Sequence, residues 1–204
     1  MIRGSGFAIR APVHETQATG HWSRTTGHNT HPLIPGWDNI NMNWYSRVAI
    51  DWLIPGQLAK SFIPDDGDLI AWQKEGIESV VNLLEPHFDD VARQERAQGF
   101  KVLHSPIPDM CSPSIDQLQT IIKWIDREIN EGKKVLVHCL AGIGRTGTVL
   151  TAYLIFKGEE IENALKQVLA VGSEPQSLEQ FEILEQFSVL LEEQNRRAER
   201  KEKI

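Results

Sequence analysis

The stretch Lys134–Thr148 constrains this chain more than any other. Lys134 to Val137 is a short, almost wholly apolar run. A run without polar alternation suits a strand buried on both faces of a sheet. It passes through Cys139-Leu140-Ala141-Gly142-Ile143-Gly144 into an apolar helix expected over 145–157. A buried strand that turns at once into a helix is the building unit of a parallel sheet covered by helices. In such sheets ligands gather beyond the carboxyl ends of the strands.

The same alternation is repeated from Trp44 onward. A strand is expected over Val48–Leu53, ending at the turn Ile54-Pro55-Gly56. Asp65 and Asp66 can cap a helix running to Glu75, with Gly76 as its left-handed end. Ile77–Leu84 reads as a strand, Asp89–Gln98 as a short helix and Phe100–Ile107 as a strand. Ser114 and Gln117 form a capping box for a helix with Ile115, Leu118, Ile121, Ile122, Ile125 and Ile129 on one face. Further helices are expected over 160–171 and 177–198. The fold class is therefore α/β, a mostly parallel central sheet flanked by helices.

Composition bounds the ends and the partners. Residues 1–43 carry net charge +1, residues 44–191 net −9 and residues 192–204 net +1. The segment 1–43 holds four of the seven histidines among Gly, Thr and Asn, without strand or helix period, and reads as a loosely ordered arm. Its His21, His28 and His31 match no common zinc spacing, so neither metal nor cofactor is expected. Residues 44–191 form the catalytic domain and 192–204 a charged helix end or tail. An acidic domain lacks the Lys and Arg excess that nucleic acid demands. No apolar run reaches the ~20 residues of a membrane span. The start shows no secretory stretch, and two cysteines, Cys111 and Cys139, build no disulfide framework. A cytoplasmic monomer without nucleic-acid or membrane partners is the expectation.

Chemistry concentrates where the strand meets the helix. A helix start offers unpaired N–H groups and the positive end of the helix dipole. Ala141, Gly142 and Gly144 are small enough for the backbone to curl around an anion. The same field favours a thiolate at Cys139. The planar fork of Arg145, six residues on, can bind two oxygens of a phosphate. A thiolate inside a ring of anion donors is a nucleophile aimed at phosphorus.

These residues resemble a known family. His138, Cys139 and Arg145 spell H-C-x5-R, and the loop extends to A-G-I-G-R-T-G, as in cysteine-dependent protein tyrosine and dual-specificity phosphatases. Trp52–Ala59 looks like the opening strands of the small atypical members, and Pro106-Ile107-Pro108-Asp109 like their general-acid loop. The resemblance implies a phosphatase-like fold over about 44–191 and hydrolysis of phosphotyrosine, with phosphoserine and phosphothreonine as further substrates. It implies Cys139 as nucleophile, forming a phosphocysteine, and Arg145 with the N–H groups of Leu140, Ala141, Gly142, Ile143 and Gly144 as phosphate binders. Asp109 is the implied acid and then base. Thr146 is implied to donate to the Cys139 sulfur, and His138 to brace the loop.

Substrates would be phosphoproteins or small aryl phosphates. Asp116 is a rival acid, placed in the first turn of a helix where carboxylates also stabilise. Cys111, two residues past Asp109, could approach Cys139 under oxidation. Set against the family's Gln-Thr-x-x-Gln water-positioning pattern, Pro175–Glu182 is read as lacking that spacing, with Gln180 one place off. A phospho-binding module without catalysis, and a phosphatase of RNA 5′-phosphates or phosphoinositides, are the alternatives. Leu140, Ala141 and Ile143, in place of Lys, disfavour multiply charged substrates.

Overall fold

A computed structural model describes residues 50–202. The expectations for the arm, for His21, His28 and His31, and for residues 48 and 49 of the first strand lie outside the described residues. Five strands form one sheet: β1 (Asp51–Ile54), β2 (Leu58–Ser61), β3 (Ile77–Asn82), β4 (Lys101–His104) and β5 (Lys134–His138). The order across the sheet is β1-β2-β5-β3-β4. Only the β1–β2 hairpin is antiparallel. Six helices complete the fold: α1 (Asp66–Lys74), α2 (Asp89–Ala97), α3 (Ile115–Asn130), α4 (Gly144–Phe156), α5 (Ile161–Ala170) and α6 (Leu178–Glu202).

Helices cover both faces, as an apolar β5 requires. Val135 and Val137 join a core with Ile121, Ile125, Leu150 and Tyr153 from α3 and α4. Leu136, between them, joins Leu69 and Trp72 of α1 on the opposite face. Successive strand residues point to opposite faces, so one five-residue strand serves two cores. α4 is buried from Gly144 through Ile155, wedged among β5, α3, α5 and α6.

Several local expectations change in the folded chain. β2 escapes the pattern analysis as a separate strand because its four residues are all buried and show no alternation. β4 is shorter than expected, since the chain leaves the sheet at Ser105 to cross over β3. The capping box of α3 is half formed. Ser114 Oγ accepts from the Gln117 N–H, but the Gln117 amide turns away to Ser105 Oγ and the Pro106 carbonyl. The reciprocal box forms instead between Asp65 and Asp68 at α1. α6 continues to Glu202, so most of the charged tail is helical.

Candidate active site

All four parallel strands run the same way, and their carboxyl ends deliver four loops to one edge of the sheet. The loop after β5 carries Cys139 and Arg145. The loop after β3 carries Glu85, and that after β4 carries Asp109. β4 does not border β5, because β3 lies between them. The loop after β4 bridges the gap by crossing the end of β3, where Ser105 N–H donates to the Asn82 carbonyl and Ile107 N–H to that of Leu83.

A cavity of about 110 Å³ is lined by Asp109, Met110, Cys139, Leu140, Ala141, Gly144, Arg145, Gln176 and Gln180. It unites most of the site residues expected from the sequence. Gly142, Ile143, Thr146 and His138 are not in its lining. Asp116 is absent from the lining, and so is Cys111. Cys139 is buried, at 2% exposure.

Arg145 is held on three sides. Nη1 donates to Glu85 Oε2 at 2.7 Å and to the Ile107 carbonyl at 2.9 Å, and Nη2 lies 2.9 Å from Asp109 Oδ1. Glu85 Oε1 accepts from the Asp109 N–H at 2.9 Å, so one carboxylate spans the arginine and the acid loop. Burial pushes the Glu85 carboxyl up. The Arg145 hydrogen bond and charge outweigh that and hold it below the ordinary carboxylate value. Glu85 is a residue that pattern reading missed. Its only signal was a carboxylate directly after a buried strand.

The nucleophile loop is shaped by its carbonyls. Leu140 O accepts from Ile63 N–H at 3.1 Å. Gly142 O and Ile143 O both accept from Ser173 Oγ, at 3.0 and 2.9 Å. A trans peptide sets each N–H opposite the preceding carbonyl. The N–H groups of Ala141, Ile143 and Gly144 therefore point away from these partners. Gly142 has φ +68°, and a Cβ there would sit 2.3 Å from Ser61 O. No other residue meets both demands.

His138 braces the strand end. Its Nε2 meets Glu95 Oε1 at 2.7 Å, both side chains being fully buried. A carboxylate only accepts, so the proton sits on Nε2. Glu95 also takes both of its Asn82 Nδ2 contacts, at 3.0 and 3.2 Å, and Asn82 Oδ1 accepts from Leu84 N–H. This network ties the ends of β5 and β3 together through α2. Thr146 departs from expectation: its Oγ1 is buried with no hydrogen-bond partner among the described residues, so the bond to the Cys139 sulfur is not made. The carbonyl four residues back, Gly142 O, is already taken by Ser173.

The expectation for the glutamines is corrected, since Gln176-Ser177-Leu178-Glu179-Gln180 has the family's glutamine spacing with Ser177 at the Thr place. Gln176 and Gln180, four residues apart, both reach the cavity. The Gln180 amide is fully committed, with Oε1 accepting from Gln176 N–H at 2.8 Å and Nε2 donating to the Cys111 carbonyl at 3.0 Å. The Gln176 carboxamide lies over Gly144, where an added Cβ would come within 2.8 Å of its Oε1.

Comparison with known proteins follows the same lines. A family model described as Tc-R-P, polymorphic toxin system, DSP-PTPase phosphatase, matches residues 60–159. The solved structure of Tk-PTP in its active form is 33% identical, with a TM-score of 0.63, over 69% of this chain and 96% of that one. The chain belongs to the dual-specificity and tyrosine phosphatase family. Among other members, human dual specificity protein phosphatase 6 is 36% identical over 94 residues, 46% of this chain and 24% of that protein. Arabidopsis thaliana phosphatidylglycerophosphate phosphatase PTPMT2 is 29% identical over 154 residues, 72% of this chain and 64% of that protein. The chain spans less than two thirds of these two curated relatives. The α/β fold with its central sheet is that of the phosphatase family, as the sequence implied. No helix among the described residues is long and apolar enough to cross a membrane.

Proposed function

We propose that this phosphatase-family protein hydrolyses phosphomonoesters, phosphotyrosine foremost, through a phosphocysteine. The observation that supports it best is the meeting of Cys139, Arg145 and Asp109 in one small cavity, with Arg145 fixed by Glu85. The incoming phosphate replaces Asp109 on Arg145 Nη2. Its oxygens are held by the guanidinium fork and the inward N–H groups of the loop. These donors match the charge that builds in the transition state. Asp109, released from Arg145 by the phosphate, takes up a proton from solvent; Cys139 Sγ then attacks phosphorus as the phosphorus–oxygen ester bond breaks, and the leaving oxygen takes that proton from Asp109. Water then attacks the phosphocysteine, giving its proton back to Asp109 and releasing phosphate and thiolate. Gln176, whose carboxamide has no hydrogen-bond partner among the described residues, orients that water. Thr146, with its hydroxyl unpaired, is available to the sulfur as it leaves. No step calls for a metal, because arginine, helix terminus and N–H groups supply the positive field.

A second reading has an observation of its own. Met110 and Leu140, both in the cavity lining, are 50% and 41% exposed. An apolar rim around a phosphate site suits an aryl group, and it also suits the glycerol and acyl portion of a phospholipid. One experiment separates these readings. Turnover of p-nitrophenyl phosphate is measured with chelator present, followed by phosphotyrosine, phosphoserine and phosphothreonine peptides and by phosphatidylglycerophosphate in mixed micelles. Rapid quench should trap phosphate on Cys139. The proposed reading holds if phosphotyrosine peptides have the highest kcat/KM, and it fails if the lipid does. Turnover at wild-type rates by Cys139→Ser would remove the mechanism altogether.

A further inference from the structure

The turn between α5 and α6 touches both halves of the catalytic apparatus. Ser173 is fully buried and uses its single hydroxyl proton across two carbonyls of the nucleophile loop. The Glu174 backbone packs so closely on the first turn of α4 that a Cβ at Gly147 would come within 2.6 Å of it. Seven residues after Ser173, the buried Gln180 donates to the Cys111 carbonyl, two residues past the acid. Its other atom fixes Gln176 N–H, closing the turn on itself. The acid loop is anchored elsewhere by Gln117 and Glu85, but neither of these reaches the loop of Cys139 from this side.

We propose that residues Ser173–Gln180 form a positioning strap. Ser173 sets the nucleophile loop and Gln180 sets the acid loop, so one segment keeps nucleophile and acid in register. The proposal rests on the phosphatase reading of the site. Ser173 acts through peptide orientation. By holding the Gly142 and Ile143 carbonyls outward, it turns the N–H groups of Ile143 and Gly144 the other way, as the planar peptide requires. Without it, two buried carbonyls lose their partner and are free to rotate toward the anion site, replacing donors with acceptors. Gln180 acts on a different step. It holds the loop that presents Asp109, and so it bears on proton transfer to the leaving oxygen.

Two variants separate the two ends of the strap. Ser173→Ala should weaken inhibition by orthovanadate roughly tenfold or more, as loss of ordered oxyanion donors does. It should also move the pH at which iodoacetate alkylates Cys139 at half its limiting rate upward, with alkylation mapped to Cys139 by mass spectrometry. Its dependence on leaving-group pKa should stay that of the wild type, and Ser173→Thr, which keeps the hydroxyl, should recover most of the loss. Gln180→Glu keeps an acceptor for Gln176 N–H but loses the donor to Cys111. Its added carboxylate at the cavity wall weakens vanadate binding by itself, so the deciding readout is the rate falling more steeply as the leaving group becomes more basic, which Ser173→Ala does not show. A lowered Tm with wild-type vanadate inhibition and alkylation profile in Ser173→Ala, or with wild-type leaving-group dependence in Gln180→Glu, overturns the strap. Identical changes in both variants overturn the division of labour. Gln180→Glu tests the proposal by itself if Ser173→Ala does not fold. The alkylation profile needs no turnover, so a wild-type chain that hydrolyses no phosphomonoester sinks the phosphatase reading while the Ser173 end of the strap is still decided.

Discussion

Replacing Glu85 by Gln tests whether the guanidinium must be held by a carboxylate. Arg145 is 2% exposed, and its shortest contact, 2.7 Å, is to Glu85 Oε2. The amide keeps an oxygen for the Asp109 N–H but turns an N–H donor toward the Arg145 donors. A hydrogen bond to a charged group contributes about 1.5–3 kcal/mol, and here it is replaced by a donor facing a donor. If that loss appears in the transition state, where Arg145 bears most charge, kcat/KM falls by roughly 10–150-fold. One compensation reduces it: the Ile107 carbonyl still accepts from Nη1. The lower half of that range is therefore expected, with vanadate inhibition weakened in proportion. The assay is steady-state turnover of p-nitrophenyl phosphate and of a phosphotyrosine peptide, with Tm measured alongside. A kcat/KM within twofold of wild type, in a variant of unchanged Tm, would show that the backbone alone positions Arg145, and the account of Glu85 as a positioning residue would fall.

Other perturbations probe separate parts. Arg145→Lys replaces the fork by a point charge and should cost roughly 10²-fold or more in kcat with little change in Tm, read by the same assay. Gly142→Ala forces a Cβ to within 2.3 Å of Ser61 O at φ +68°. The backbone alone costs about 1–2 kcal/mol, so a lower Tm and loss of vanadate binding are expected. Asp109→Asn should slow phosphotyrosine hydrolysis by roughly 10²–10⁴ and an activated aryl phosphate much less, whereas Asp116→Asn should do neither; the reverse pattern would move the acid to Asp116. Glu128 is buried, which raises its carboxyl, but hydrogen bonds from Lys101, Ser79 and Lys133 bring it down from 4.5 to about 2. Its stabilisation is complete above pH ~4.5 and lost as pH falls toward ~2. At face value it amounts to about 3 kcal/mol, and solvent around the half-exposed Lys101 reduces that to about 1–2. Glu128→Gln should lower Tm at pH 7, with the gap from wild type closing by pH ~2.5; a constant gap across that range contradicts the ion-pair explanation.

What could be seen in the sequence was whatever is contiguous. The phosphate loop is one run of residues from His138 to Thr148, and a strand–loop–helix frame converts that run directly into a site. Helix ends were legible for the same reason, since Asp65 and Ser114 act on residues two or three positions away. Parts assembled across the sheet were not legible. Glu85 meets Arg145 from 60 residues away, and nothing local marks it apart from Asp89 or Asp90. The place of β4 depends on strand order, which hydrophobic pattern does not encode. Gln117 belonged by spacing to a capping box, yet two tertiary acceptors in the acid loop outcompeted one N–H at the helix end. Gln176 and Gln180 were legible and misread: Gln176-Ser177-Leu178-Glu179-Gln180 keeps the glutamine spacing of the motif with Ser177 at the place of its Thr, and both glutamines line the cavity.

An acidic domain proposed to bind a dianion poses an electrostatic question, and the geometry bears on it. Residues 44–191 carry net −9, yet the cavity gathers a helix start, inward N–H groups and one buried arginine. Charges on the surface are screened within about 8–10 Å at ordinary salt, while groups inside the cavity act at hydrogen-bond distance and through little water. The local field therefore governs binding, and the global charge governs encounter. Both carboxylates on Arg145 have a part in this balance. Glu85 stays, because it also holds the acid loop through the Asp109 N–H. Asp109 leaves, because its side chain is 64% exposed and a phosphate oxygen can take its place on Nη2. On the proposed mechanism Asp109 then lies beside the ester oxygen and, protonated from solvent once it is off the arginine, supplies the proton that oxygen needs. The Arg145–Asp109 ion pair is on that reading exchanged for the phosphate contact, and the same exchange brings the acid to the leaving group.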